Sequence, residues 1–461
     1  MTDHPIRTAD AADRRRARTS LYRAVWRWHF FAGLFVLPFL ITLSVTGALY
    51  LFRDEIDAIV HADLKRVAVQ EAAAPMPPSA LMAAALTAHP GTAAKITLPA
   101  TPDSSAEVTV DTLSGERLAV YVNPYDAAVL GSLPDRGTIM WTVRTLHSLK
   151  YFGPVARGLI EIAAGWSILL VLTGAYLWWP RGQSGGVVTL RGKPAQRVFW
   201  RDLHAVLGLV LGGFIAFLAI TGMPWSGVWG AKVNEWANGS NFGYPSGVRV
   251  NVPMSDARMA QDGPTTWSLE QARVPLAEGG ASMEPIGIDD AVSVFDGLGL
   301  HRGYTVVFPK GPTGVFSASV YPDDLAQQRV VHLNAYSGKP LIDMSYGDYG
   351  PLGRWLEFGI NVHLGQEFGL ANKLVLLAVC IGNVVLAVAA GAMWWKRRPK
   401  GAMGVPPLPA ERGRLAGVAA LMAVGGLAFP LVGLSFLVML ALDLLISRGW
   451  RHRHAGMAAR A

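Results

Sequence analysis

With 51% hydrophobic and only 16% charged residues over 461 positions, the chain is too apolar for an ordinary soluble protein, yet its long polar stretches require sizeable parts outside a membrane. The formal charge of +8 invites a nucleic-acid reading, but the basic residues cluster beside apolar segments, where lipid and topology account for them, so no nucleic-acid partner is expected. The single cysteine, Cys380, lies in an apolar run, which excludes an intrachain disulfide and any Cys-based metal or cluster site within one chain.

Residues 1–24 read as a basic cytoplasmic N-terminus. Its Arg14-Arg15-Arg16-Ala17-Arg18 run resembles the start of a signal peptide, but the apolar stretch that follows is long enough to span, so 25–52 is predicted as an uncleaved membrane helix. Region 53–150 is extramembrane, with a short Ala-rich helix from Ser79 to His89 and strands at 94–98, 106–110 and 118–122. A second membrane helix at 154–179 ends in the interfacial pair Trp178-Trp179. The loop 180–201 carries Arg181, Arg191, Lys193, Arg197 and Arg201, and a third helix covers 202–229. A second extramembrane region, 230–365, holds a helix at 288–297 and strands at 304–308, 315–320 and 328–333. The fourth helix, 369–395, closes on Trp394-Trp395 and is followed by the basic loop 396–414.

Residues 415–447 form an apolar stretch broken by Phe429-Pro430. A single kinked span would put Arg448, Arg451 and Arg453 outside, so a hairpin turning near Pro430 is the preferred reading. The two long regions carry 8 basic against 11 acidic and 9 against 14 residues, while the N-terminus and both short loops are basic; the long regions therefore face outward. They end on related phrases, Val122-Asn123-Pro124-Tyr125 and Leu333-Asn334-Ala335-Tyr336.

The histidines repeat with the helices. His29 in Trp26-Arg27-Trp28-His29-Phe30-Phe31-Ala32-Gly33 precedes Thr46-Gly47 by 17 residues, and His204 in Asp202-Leu203-His204-Ala205-Val206-Leu207-Gly208 precedes Thr221-Gly222 by the same 17, at an offset of 175. His147 precedes Phe152-Gly153, Arg157 and Trp178-Trp179 as His363 precedes Phe368-Gly369, Lys373 and Trp394-Trp395, at an offset of 216. This reading assigns the four histidines to the four apolar helices, one each, with His29 and His204 at the cytoplasmic ends of the first and third and His147 and His363 where the chain re-enters from outside, just before the second and fourth.

An ionisable group at membrane depth is a functional candidate by default. A six-coordinate haem needs two axial ligands on opposite faces, and neutral imidazole suits iron. Two histidines at matching depth on two helices supply that, so His29 with His204 and His147 with His363 are predicted as the axial metal ligands of two haem groups. Gly33 and Gly208, one turn from their histidines, leave room for a flat macrocycle. Arg27, Arg201, Arg144 and Arg157 are candidates to neutralise propionates. A duplicated structural interface would also copy histidines and stands as the bland alternative. Glu161 reads equally as proton relay, site group or snorkelling residue, and the Thr-Gly repeats as close helix packing. His61, His89, His301 and His332 read as surface residues, and His452 and His454 as part of a basic tail. No Walker loop, Gly-x-Gly-x-x-Gly, His-Glu-x-x-His or hydrolase elbow points to soluble catalysis.

Over residues 20–447 the chain resembles the PepSY-associated transmembrane family, whose members include di-haem inner-membrane ferric-siderophore reductases. The resemblance rests on the two motifs quoted around His29 and His204, on Leu146-His147-Ser148-Leu149 and on Asn361-Val362-His363-Leu364-Gly365. It implies a bacterial inner-membrane α-helical protein: a duplicated two-helix repeat of four main spans, a C-terminal apolar helix or hairpin, and two α+β PepSY-like periplasmic domains. It further implies two haem b and electrons passed from quinol or a separate cytoplasmic donor to a periplasmic ferric siderophore, whose iron is released as Fe(II) because reduction weakens hard-oxygen chelation. The rival expectations are a PepSY membrane protein that binds or inhibits an envelope partner without catalysis, and a proton-coupled transporter.

Overall fold

The computed structural model describes residues 6–70, 73–180, 185–239, 252–263, 265–278, 284–400, 404–406 and 422–442; side chains of 6–20, 237–239 and 262 are not described. Arg181, Arg412, Arg414, Arg448, Arg451, His452, Arg453 and His454 lie outside the described residues. The chain forms two compact units: a helical unit of Met1–Ala48, His147–Ala231 and Leu377–Ala461, and a sheet unit of Leu49–Leu146 and Lys232–Leu376.

In chain order the elements begin with helices α1 (Ile6–Tyr50), α2 (Arg53–Val60), α3 (Ala62–Lys65) and α4 (Pro78–Ala88). Strands β1 (Gly91–Thr97), β2 (Ala106–Thr112), β3 (Arg117–Val122) and β4 (Val129–Pro134) follow, then α5 (Ile139–His147), α6 (Gly153–Trp178), α7 (Arg197–Gly222) and α8 (Trp229–Gly239). Next come β5 (Met254–Arg258), α9 (Met259–Asp262), β6 (Arg273–Pro275), α10 (Ile288–Gly297), β7 (Thr305–Val307), β8 (Val315–Val320), β9 (Arg329–Asn334) and β10 (Pro340–Ser345). The chain continues through α11 (Pro351–His363) and α12 (Gly369–Arg397), and the tail contributes α13 (Pro430–Leu442).

Among the described residues, four helices are long and apolar enough to cross a membrane: Leu21–Tyr50, Lys150–Trp178, Arg197–Trp225 and Gly369–Arg397. The first and third helices differ in extent from the sequence reading, the third also beginning at Arg197 rather than 202. The first helix starts at Ile6, well inside the expected basic terminus, because Ala and Arg are good helix formers that extend the span. The third stops at Gly222 instead of reaching 229, where Pro224 removes a backbone donor and a 3₁₀ turn over Met223–Trp225 takes over.

Within the helical unit, Ala24, Val25, Trp28, Ala32 and Val36 of α1 bury against Trp166 of α6 and Val432 and Phe436 of α13. The Trp166 indole N–H donates to Ser435 Oγ at 2.8 Å. Leu211 of α7 buries with Val379 and Leu386 of α12. In the tail, a Cβ on Gly426 would lie 2.6 Å from Gly433 Cα. Seven residues of straight helix cover roughly 10 Å, so the chain doubles back at Phe429-Pro430, as a hairpin requires.

The sheet unit departs from two separate domains. Its eight antiparallel strands run in the order β10-β9-β8-β7-β1-β2-β3-β4, two four-strand modules joined through their first strands. The seam pairs Lys95, Ile96 and Thr97 with Val307, Val306 and Thr305. Each module also has a fourth strand, β4 and β10, that the sequence reading did not place. Helices α4 and α10 lie over one face, and a single core runs through both modules, from Leu81, Ile96, Val108 and Val120 to Phe295, Tyr304, Phe316 and Val331. Asp289 of α10 accepts from the Ser79 N–H at 2.8 Å, linking the starts of the two helices. The paired phrases make the same turn: Asn123 Oδ1 accepts from Tyr125 N and Asn334 Oδ1 from Tyr336 N, and the two tyrosine hydroxyls donate to the carbonyls of Pro102 and Pro312.

The extra length of the second region covers the other face of β8–β10. Leu269, Ala272, Val274 and Met259 bury there against Val315, Val330 and Ile342. This layer encloses His332, which is 2% exposed and not a surface residue; its Nδ1 lies 2.7 Å from Ser317 Oγ, its cross-strand partner. Burial pushes its pKa down to about 4. The folded value lies below the unfolded one, so the stabilisation is complete above about pH 6.5 and is lost as pH falls towards 4, on the order of 2–3 kcal/mol. Denaturant titration across that window should show the loss in the wild type and a flatter profile in His332→Asn; equal slopes would refute the assignment.

Candidate metal-binding histidines

Two of the four candidate histidines sit on membrane helices and two do not. His29 lies on α1 and His204 on α7, whereas His147 is the last residue of α5 and His363 the last of α11. The expectation of one histidine per apolar helix is corrected there. Leu149 at φ +50° and Gly153 at φ +81° turn the chain between α5 and α6. Gly365 at φ +76° does so after α11, a left-handed conformation that favours glycine.

His29 and His204 are brought together: their ring centroids are 6.4 Å apart with the planes 83° to each other. Two imidazoles bound at about 2 Å to opposite faces of one iron have ring centres roughly 6 Å apart. Two side chains are too few for a closed protein-only site and are the number that a porphyrin iron leaves open. No group of three or more His, Cys, Asp or Glu converges among the described residues. A Cβ added to Gly33 or Gly208 would meet nothing within 4 Å, so the faces one turn beyond both histidines are open. The residues present fit a bis-histidine haem.

The ring nitrogens point the same way. Thr173 Oγ1 lies 2.9 Å from His29 Nδ1 and 2.8 Å from the Leu169 carbonyl oxygen. The hydroxyl has one proton and the carbonyl takes it, so Nδ1–H of His29 donates to the hydroxyl oxygen and the lone pair is on Nε2. Thr46 repeats this at the other end of α1: its Oγ1 lies 2.6 Å from the Thr42 carbonyl and 2.8 Å from His147 Nδ1. His204 Nδ1 faces the Leu386 carbonyl at 3.5 Å, which can only accept. Each of these three histidines thus keeps the tautomer that a metal ligand needs. His29 and Thr46, 17 residues apart on α1, are separated by about 25 Å of helix.

His363 belongs to the sheet unit, where α11 is anchored by Glu357 and Asn361. Glu357 accepts from Ser268 N–H at 3.0 Å, with its carboxyl pKa raised by burial, and Asn361 Nδ2 donates to the Asp323 carbonyl at 2.8 Å and to Glu367 at 2.6 Å. The pairing of His147 with His363 rests on the sequence repeat.

The family described as PepSY-associated TM region matches residues 26–397. The chain belongs to the PepSY-associated transmembrane family. A comparison with curated proteins finds no match.

In this PepSY-associated transmembrane protein, the four arginines proposed for propionates all have protein partners. Arg27 donates to the Pro406 carbonyl and lies over the Phe31 ring; Arg144 stacks 4.7 Å from Trp141. Arg157 donates to the Trp225 carbonyl at 3.0 Å, and Arg201, with Arg191, is bonded to the buried Asp202 two residues before His204. Glu161, 1% exposed, accepts from Val228 N–H at 2.8 Å and Trp229 N–H at 3.1 Å, which makes it the carboxylate at the start of α8. His61 is not a free surface group either: its Nε2 accepts from Ile139 N–H at 3.2 Å, and Asp57 accepts from Met140 N–H at 3.2 Å, so the pair caps α5, the helix that ends in His147. The threonine contacts with His29 and His147 were missed from sequence, where the Thr-Gly repeats read as helix packing. Their signal was present, since Thr173-Gly174 repeats the Thr-Gly dipeptide of 46–47.

Proposed function

We propose that this protein is a membrane haem b oxidoreductase that carries electrons across the membrane to a periplasmic ferric complex of the ferric-siderophore type. The observation that carries the reading is the His29–His204 pair, two rings at 6.4 Å whose Nδ1 atoms are both engaged by acceptors. Family membership and the repeat of a second histidine set, His147 and His363, support it. When bound, two haems held by these sets would supply two one-electron carriers. The chain's own residues orient the imidazoles, keep their Nε2 lone pairs available and exclude bulk water with apolar helices. The charge asymmetry of the loops supports a reading in which residues 53–150 and 230–365 face the periplasm of a bacterial inner membrane and quinol or a separate cytoplasmic donor feeds the His29–His204 pair.

The test is the absorption spectrum of the detergent-purified protein before and after dithionite, with pyridine-haemochrome quantification. Two low-spin b haems per chain are expected, followed by reduction of a ferric siderophore when a quinol is supplied. Protein free of haem, from cells supplied with haem precursor, would remove the redox reading and leave a PepSY protein that binds an envelope partner.

A further inference from the structure

Three Thr-Gly dipeptides lie in the membrane helices, at 46–47, 173–174 and 221–222. In the first two, the threonine meets a histidine and the glycine faces the same ring. The threonine hydroxyls face Nδ1 of His147 and His29, at 2.8 Å and 2.9 Å. A Cβ on Gly47 would stand 3.5 Å from His147 Cε1, and one on Gly174 would stand 3.4 Å from His29 Cε1, so each glycine lies beside the ring edge with room for no more than one further carbon. Tight helix packing alone predicts the small residue but gives no reason for a hydroxyl aimed at a ring nitrogen.

Resting on the haem reading above, we propose that Thr173 and Thr46 are positioning residues that set the tautomer and the donor strength of His29 and His147. Each hydroxyl is polarised by the helix carbonyl to which it donates, Leu169 or Thr42, which makes its oxygen a better acceptor for Nδ1–H. A hydrogen bond taken from Nδ1–H makes the opposite nitrogen more basic and favours the oxidised metal. The two ligands of the first pair are therefore unequal. The 216-residue offset that relates α6 to α12 puts Ala389 where Thr173 stands, and His204 Nδ1 is left with the Leu386 carbonyl at the longer distance of 3.5 Å. Thr173 is the stronger control on this pair.

The test compares wild type, Thr173→Val, Thr173→Ser and Thr46→Val by haem content per chain and by spectroelectrochemical titration. Valine keeps the threonine shape without the hydroxyl, so Thr173→Val should raise the midpoint potential of one haem and weaken its retention ten- to a hundred-fold, the usual effect of losing such a partner. Serine should restore both. Thr46→Val should do the same to the other haem and leave the first unchanged. A wild type that binds haem while Thr173→Val and Thr46→Val leave potentials and content unaltered would overturn this inference alone. A serine variant that behaves like valine would also overturn it, because shape rather than the hydroxyl would then matter. A wild type without haem would overturn this inference together with the reading on which it rests.

Discussion

Purified from haem-sufficient cells, His29→Ala should hold one haem where the wild type holds two, His204→Ala should do the same, and the double variant should lose no more than either. The non-additivity is the informative part. Residues that serve one group as a unit do not add, because the first substitution already removes what the second acts on. The 6.4 Å separation of the two rings is about what one shared iron would require. His147→Ala should remove the other haem, and His29→Ala combined with His147→Ala should leave none. Pyridine-haemochrome assay on monodisperse protein reads all of these. If the His29 and His204 losses add, the two rings do not share an iron and the pairing is wrong.

Truncating Phe295 to alanine should lower the stability of the sheet unit by about 3–5 kcal/mol. Phe295 is fully buried on α10, its ring centroid 6.0 Å from that of Tyr304, in the core that runs under both modules. The test of the joined sheet is where the damage spreads. Hydrogen exchange should quicken in β2 and β3 of the first module as well as in β8 and β9, because one core and the β1–β7 seam make both modules one cooperative unit. Faster exchange confined to β7–β10 would mean that the modules open independently.

Much of this was legible in the sequence because it is local. Long apolar windows mark four spans, period-2 stretches mark six of the eight strands in the large sheet, and the Asn-x-x and Tyr phrases at 123–125 and 334–336 mark two copies of one turn. The histidine repeats were visible as spacings. Where local signals compete, they misled: Pro224 ends α7 earlier than hydropathy suggests, and His332 reads as polar surface until β8, β9 and the layer over them enclose it.

Hydropathy and spacing alone determine that this chain carries four membrane-length helices, two β-rich regions and four histidines in a two-by-two repeat. Tertiary structure decided the rest: that the two regions share one sheet through β1 and β7, that His29 faces His204, that Thr173 and Thr46 hold the rings, and that Glu161 and the arginines are committed to protein partners. Those facts depend on groups brought together across many residues of chain. A single sequence records which side chains are available, but the pairing is set by helix packing and strand register, whose energy is shared over a whole core and leaves no mark at any one position.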